Sequence, residues 1–302
     1  YVTHGAELSV WVNYQKGNAK IVYELIDSYL SIPTYSFKNL LRGVARYITG
    51  QHKHLLFNQR KTIELMCKRA DAVVCSTVEQ KKYLENLCSN TRIILDFKSM
   101  FKRLKSSYAI HNEINIVWEG LPYNIKSFSV IKNALSVLNK RYKVNLHMIT
   151  SLEYGKFMGK YIKKNTINDI NKILDANTIY LYEWNEHTCS HIAGACDLAV
   201  IPNNKYDPMD WGKPENKLLI FWLMGLPTIT SATPAHLRTM DKAELSMTCS
   251  SEEQWIELLE YYIKNLDDRE LVANKGFAFA SSVNSDKVIM SQWDDLFKSV
   301  IN

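Results

Sequence analysis

No stretch of this 302-residue sequence approaches the roughly 18–20 consecutive apolar residues that a membrane-spanning helix needs. The longest candidate, 218–226, is interrupted by Gly225. Among the six cysteines there is no C-x-x-C pair, and no histidine stands at zinc-finger spacing, so neither a disulfide scaffold nor a structural zinc site is in view. Cys75 and Cys196 fall in or beside apolar stretches, where a reduced cysteine acts as a small hydrophobe. A reducing cytosol is the expected compartment. With 11 glycines and 7 prolines, collagen and low-complexity architectures are excluded. There is no signal-peptide pattern, no internal repeat and no D-x-D motif. Asp207-Pro208-Met209-Asp210 does not form one, and the sequence therefore calls for no metal. The numbering begins at Tyr1 rather than at Met, which leaves room for further chain before it.

What is present is ordinary globular composition, 46% hydrophobic and 23% charged, in a length comfortable for two domains. The net charge of +6 is uneven: residues 1–112 carry 17 basic against 8 acidic side chains, and residues 113–302 carry 20 against 23. A basic front half is compatible with plain solubility, with nucleic acid or with an anionic membrane surface. No nucleic-acid-binding motif accompanies it, so no nucleic-acid partner is expected. In 35–69, apolar and cationic residues interleave (Phe37, Leu40, Leu41, Arg42, Arg46, Tyr47, Lys53, Phe57, Lys61), as in helices that lie on anionic lipid. The same pattern also fits a core-facing stripe with a solvated basic face.

Short β-rich runs alternate with longer helical patterns. Strands are expected at 8–12, 20–25, 72–76, 92–95, 114–118, 145–149, 178–181, 198–201, 228–230 and 245–248. Helical periodicity marks 37–48, 58–68, 78–87, 127–140, 188–196, 215–224, 234–242, 252–264 and 283–301. Such alternation predicts βαβ units around parallel sheets, and continuous apolar strands predict helices on both faces. The alternation restarts near residue 113, after a loose basic segment at 98–112 read as a linker. The expected domains are 1–112, 113–282 and a terminal helix, 283–302, that packs back toward the first.

The richest segment runs from Asp197 to Ala235. A strand stops at Pro202, a polar loop follows, and Pro214 opens a helix with Glu215, Asn216 and Lys217 in its first turn. Gly225 and Pro227 end that helix before the strand at 228–230. A helix start at the carboxyl edge of a sheet favours an anion, and Lys217 adds a full positive charge. Glu215 can accept from sugar or ribose hydroxyls. Equally, Glu215 can serve only the helix dipole, and Lys217 can be a solvated first-turn residue.

The runs ADAVVCST (70–77), VWEG (117–120), and DLAVIP followed by KPENKLLIFWLMGLPTIT resemble GT-B glycosyltransferases. The likeness is greatest to the family 4-like enzymes of bacterial surface polysaccharide biosynthesis, and it spans most of 70–265. It implies an α/β GT-B fold, two Rossmann-like doubly wound domains facing a central cleft. It implies a sugar moved from a nucleotide diphosphate sugar to a glycan or lipid-linked glycan, as in O-antigen or capsule assembly. No cofactor or metal is required, and retention is preferred. The enzyme would be cytoplasmic and peripheral on the inner face of the membrane.

By the same resemblance, Gly120 is the turn glycine that admits the diphosphate, and Lys126 contacts phosphate. Glu183 and Trp184 lie in the loop expected to meet the base, while Asn216, Lys217 and Ser231 complete the donor site. Asp27 at the end of an early strand, Asp207 in the polar loop, and Glu215 are the catalytic candidates. The sequence departs from the family where two glutamates seven residues apart are usual: alignment on Gly225-Leu226-Pro227 places Gly212 and Ile220 there. That departure supports a second reading, a non-catalytic GT-B module that binds nucleotide sugar or a partner enzyme; a GT-B-like sugar nucleotide epimerase is a further alternative, against which the basic N-terminal segment argues.

Overall fold

The computed structural model describes residues 1–31, 37–156, 162–174 and 178–301. Tyr35, the first residue of the basic segment 35–69, lies outside them, as do the side chains of Phe37 and Arg42. The chain divides into two compact units: Tyr1–Asp96 with Tyr206–Pro214 and Lys287–Asn302, and Phe97–Lys205 with Glu215–Asp286.

In the first unit, β1 (Val22–Leu25), β2 (Ala72–Cys75) and β3 (Thr91–Ile93) form a parallel sheet in that order. Every residue of β2 is buried, and the pleat sorts its side chains onto two cores. Val73 and Cys75 join Tyr23, Leu25 and the buried face of helix Gln59–Arg69, namely Ile63, Met66 and Cys67. Ala72 and Val74 join Val22 and Ile289, Leu296 and Val300 of helix Asp286–Ile301. A strand covered on both faces has no polar side to show, which is why it reads as one apolar run. Thr77 caps the next helix, Val78–Leu84, in a reciprocal capping box with Gln80.

The expected strand at 8–12 is instead a short helix, Leu8–Trp11, started by Glu7, whose carboxylate accepts from the Ser9 backbone. The place beside β1 is taken by Val2, which bridges to Tyr23. Arg69 ties the helix end down by donating to the carbonyls of Trp11, Val12 and Tyr14.

The second unit holds β4 (Ile114–Glu119), β5 (Val144–Thr150), β8 (Thr178–Glu183), β9 (Leu198–Ile201), β10 (Thr228–Ser231) and β11 (Thr248–Cys249). All pair in parallel, in the order β11-β10-β9-β4-β5-β8. A small antiparallel pair, β6 (Glu153–Lys156) and β7 (Ile162–Asn165), interrupts the series and was not expected. Segment 98–112 is not a linker. It belongs to the second unit, where Tyr108 donates to the Gly225 carbonyl at 2.7 Å and Lys105 to the Cys196 carbonyl at 2.6 Å. Conversely, 206–214 belongs to the first.

The apolar helix expected at 215–224 spans Asn216–Leu223, and Gly225 closes it at φ +79°, a conformation that favours glycine. Helix Leu266–Val283, an element absent from the sequence reading, packs against it. A Cβ on Gly276 would sit 2.7 Å from the Trp222 ring, so the missing side chain lets that indole lie flush on the helix. No helix among the described residues is long and apolar enough to cross a membrane. All six cysteines are buried and unpaired, and burial pushes the thiols of Cys67, Cys75, Cys189, Cys196 and Cys249 up to about 12.

Candidate active site

The strand order of the second unit fixes where a ligand can enter. From β4 the chain steps outward to β5 and β8, then returns to β9 on the other side of β4 and steps away to β10 and β11. Between β4 and β9 the winding reverses. At such a switch point the connections leaving the carboxyl ends diverge and open a crevice. Gly120 is the first residue beyond β4, and the segment after β9 leads to helix Asn216–Leu223.

Lys217, in the first turn of that helix, reaches back to β4. Its Nζ donates to the Glu119 carbonyl at 2.6 Å and lies 3.3 Å from Glu119 Oε2. It also stands 5.4 Å from the centroid of the Trp118 ring. A Cβ on Gly120 would fall 2.5 Å from Lys217 Nζ and 2.5 Å from Trp118. Only glycine leaves the ammonium this close to the strand end. Gly120 and Lys217, far apart in sequence, therefore form one feature.

Asn216 joins it through a residue that sequence reasoning missed. Lys98 is only 2% exposed, and its Nζ donates to Asn216 Oδ1 at 3.0 Å. Lys98 sat in a segment read as linker, and no local pattern marked it. Glu215 is the N-cap of the helix but makes no side-chain capping bond. Burial raises its pKa, against the opposing pull of Arg238, a hydrogen bond from Thr239 and the charge of Lys98. Its Oε2 is buried without a hydrogen-bond partner in the protein. Arg238 and Thr239, also unforeseen, come from helix Pro234–Lys242.

Ser231 ends β10, and its Oγ accepts from the Asn203 backbone at 2.8 Å, which fixes the turn after β9. His236 Nδ1 lies 3.0 Å from the Ser231 carbonyl, so that nitrogen carries the proton. Glu183 ends β8, at the sheet margin, and accepts from the Leu152 backbone at 2.8 Å. Trp184 is 39% exposed and follows directly. Lys126 is exposed in the 3-10 segment Pro122–Val130.

Asp27 and Asp207 belong to the first unit. Asp27 Oδ2 lies 3.4 Å from the Tyr29 hydroxyl. Asp207 caps the short helix Pro208–Trp211, accepting from Met209 and Asp210. Asp210 is 2% exposed and paired with Lys213. Gly212, aligned with the first family glutamate, offers its carbonyl to Ser28. Among the described residues no group of three His, Cys, Asp or Glu side chains is placed to hold a metal ion. A cavity of about 740 Å³ in the second unit is lined by Glu113, Asn115 and Asp197, at the amino-terminal strand edge, and so is not the switch-point crevice.

No family model matches the sequence, and no curated protein does. Solved structures do. Sucrose-phosphate synthase from Thermosynechococcus elongatus superposes with a TM-score of 0.61 at 12% identity, over 92% of this chain and 67% of that one. HepE of Anabaena, in complex with UDP and glucose, gives 0.65 at 12% identity, over 93% and 72%. A TarM variant of S. aureus, with UDP bound, gives 0.62 at 12% identity over 95% of this chain but 52% of its own length. At such identity the likeness is one of architecture, and with the parallel sheets of both units it establishes the GT-B fold for this chain.

Proposed function

We propose that the chain is a glycosyltransferase whose second unit binds a nucleoside diphosphate sugar at the switch point between β4 and β9. The observation that carries this reading is the position of Lys217 Nζ at Gly120. There a cation, the first turn of a helix and a strand end without a side chain meet at the sheet's carboxyl edge. A diphosphate is the anion that needs close backbone approach and a fixed cation together. Lys217 would exchange the Glu119 carbonyl for a phosphate oxygen. Two of the similar structures, HepE and the TarM variant, contain UDP, which supports uracil as the first base to test.

In the reaction, the bond between the sugar C1 and the diphosphate oxygen breaks, and the acceptor hydroxyl oxygen bonds C1. The hydroxyl proton leaves with the departing phosphate. Lys217 and the helix start stabilise the negative charge that develops on that phosphate, an effect worth about 3 kcal/mol per well-placed donor. Glu215, with one oxygen unpartnered, would hold a hydroxyl of the sugar or ribose. Trp184 offers an exposed ring for the base. Retention, a lipid-linked glycan acceptor and a place in surface polysaccharide assembly are supported by the sequence resemblance.

The absence of both family glutamates, with Gly212 and Ile220 in their places, favours a second reading, a GT-B module that binds the donor without transferring it. One thermal-denaturation series separates the cases. UDP, GDP, ADP, TDP and CMP are each added at about 100 times the dissociation constant, which stabilises by about 2.7 kcal/mol for a specific ligand. The proposal expects one nucleotide to act, and the matching nucleotide sugar to be consumed. Binding without consumption supports the module. No stabilisation by any of the five contradicts both.

A further inference from the structure

We propose that the cavity at the amino-terminal edge of the six-stranded sheet binds a small zwitterion, a free α-amino acid. The cavity lies within the second unit and measures about 740 Å³, a size typical of small-molecule sites. Three pieces of chain surround it: the residues just before β4 and β9, the end of helix Glu186–Gly194, and part of segment 98–112. Two opposite charges line it, and neither is paired. Asp197 is 7% exposed, and its hydrogen bonds come from Asn115 alone, whose backbone N–H donates to Oδ2 at 2.7 Å. Lys105 is 9% exposed, and its Nζ has one acceptor, the Cys196 carbonyl at 2.6 Å. The two feel each other's charge but form no ion pair. Arg269, the other cation that acts on Asp197, commits its guanidinium to the carbonyls of Tyr108, Tyr262 and Ile263. Burial accordingly raises the pKa of Asp197 and lowers that of Lys105. A buried charge with one weak partner gains from a second one of opposite sign.

The separation of the charges selects the ligand. A simple anion answers Lys105 but is repelled by Asp197. A simple amine answers Asp197 but is repelled by Lys105. A neutral polyol leaves both charges uncompensated. An amino acid answers both, with its ammonium on Asp197 and its carboxylate on Lys105. The ammonium also meets the carboxyl-terminal end of helix Glu186–Gly194, whose Gly194 and Ala195 line the cavity; carbonyls at a helix end favour a cation. The other polar groups beside Asp197 have partners of their own. Glu113 pairs with Lys143 and accepts from Asn145, and Asn115 Oδ1 accepts from Asn145 and His147. The cavity opens at the edge of the sheet opposite to Gly120 and Lys217, so its ligand does not compete with a nucleotide there.

The test is thermal denaturation of the full chain with each common L-amino acid at about 10 mM, followed by calorimetric titration of those that act. One or a few amino acids are expected to raise the midpoint by several degrees. The matching amine and the matching acid, each lacking one charge (ethylamine and propionate for alanine), and glucose are expected to leave it unchanged. Asp197→Asn keeps an acceptor for the Asn115 N–H and is expected to weaken the amino acid by about tenfold or more, as is Lys105→Met. Should Lys105→Met lower the midpoint of the unliganded chain, Ala195→Trp reads the same site. It fills the cavity from an exposed position of the lining and is expected to abolish binding with both charges in place. Stabilisation by no amino acid overturns the proposal. So does equal stabilisation by the amine, the acid or glucose, or undiminished binding by the Asp197 and Ala195 variants. The assay uses no nucleotide, so its failure is separate from failure of the donor-site reading.

Discussion

Lys217 Nζ lies 2.6 Å from the carbonyl oxygen of Glu119, the last residue of the strand at which the sheet reverses its winding. The bond is maintained across 98 residues of sequence by two things. One is the glycine that follows Glu119. The other is the helix that carries Lys217, held from behind by Trp222 against Gly276.

Gly120→Ala places a Cβ 2.5 Å from both Lys217 Nζ and the Trp118 ring. The lysine must leave the strand end or the indole must shift, at about 1–3 kcal/mol for overpacking. Nucleotide affinity is expected to fall by about tenfold, a loss near 1.4 kcal/mol, by calorimetric titration. The fold, read by far-ultraviolet circular dichroism, stays.

Gly276→Val drives a branched side chain into Trp222, whose Cγ and Cδ1 are each 2.7 Å from the added Cβ. The neighbour is a fully buried ring on a packed helix, and it cannot swing aside. Urea denaturation is expected to show a loss of about 1–3 kcal/mol with an unchanged slope.

Burial raises the Glu215 pKa, while Arg238, Thr239 and Lys98 hold it down in part. A carboxyl whose folded pKa exceeds its unfolded one binds more protons when folded. Its contribution to stability is therefore greatest below the unfolded value and falls as pH rises through the folded one. Glu215→Gln removes that dependence. Relative to wild type, the variant should gain stability between acid pH and neutrality, as measured by denaturation at a series of pH values. A constant difference would show that Glu215 titrates as it does unfolded.

Lys98→Met removes a buried cation that donates to Asn216. Replacing a whole buried ion pair by apolar side chains is often close to neutral for stability, but here only one partner of a hydrogen bond is removed, which costs about 1–3 kcal/mol. Asn216 loses its donor. Nucleotide affinity should fall by about threefold to tenfold, the worth of one hydrogen bond, and the thermal midpoint should fall with it.

Much of this was legible in the sequence because periodicity reports burial. The strands at 72–75 and 198–201 are apolar on both faces and could only be central, and 114–119 is unbroken apolar from Ile116 to Trp118. The proline and glycine punctuation around 214–227 placed the helix start within one residue. Segment 8–12 misled because five residues of alternating pattern fit a strand as well as one turn of helix, and the choice was made by Val2, Glu7 and Arg69 from outside the window. Segment 98–112 looked loose because its order comes from distant partners, such as Gly225 for Tyr108. For the same reason the site was half visible. Gly120 and Lys217 sit in recognisable local frames, whereas Lys98, Glu119 and Arg238 acquire their roles only when the sheet assembles. Asp207 stood out for its place in a polar loop, and that place is explained by the helix it caps.

The central claim is that Lys217 holds the diphosphate. It is tested most directly by calorimetric titration of wild type and Lys217→Ala with UDP and with uridine, or with the corresponding pair for whichever base the nucleotide series selects. The account predicts that the substitution weakens the nucleoside diphosphate by about ten- to a hundredfold, the worth of charged hydrogen bonds, and leaves the nucleoside unchanged. Equal weakening of both ligands, or of neither, would contradict it.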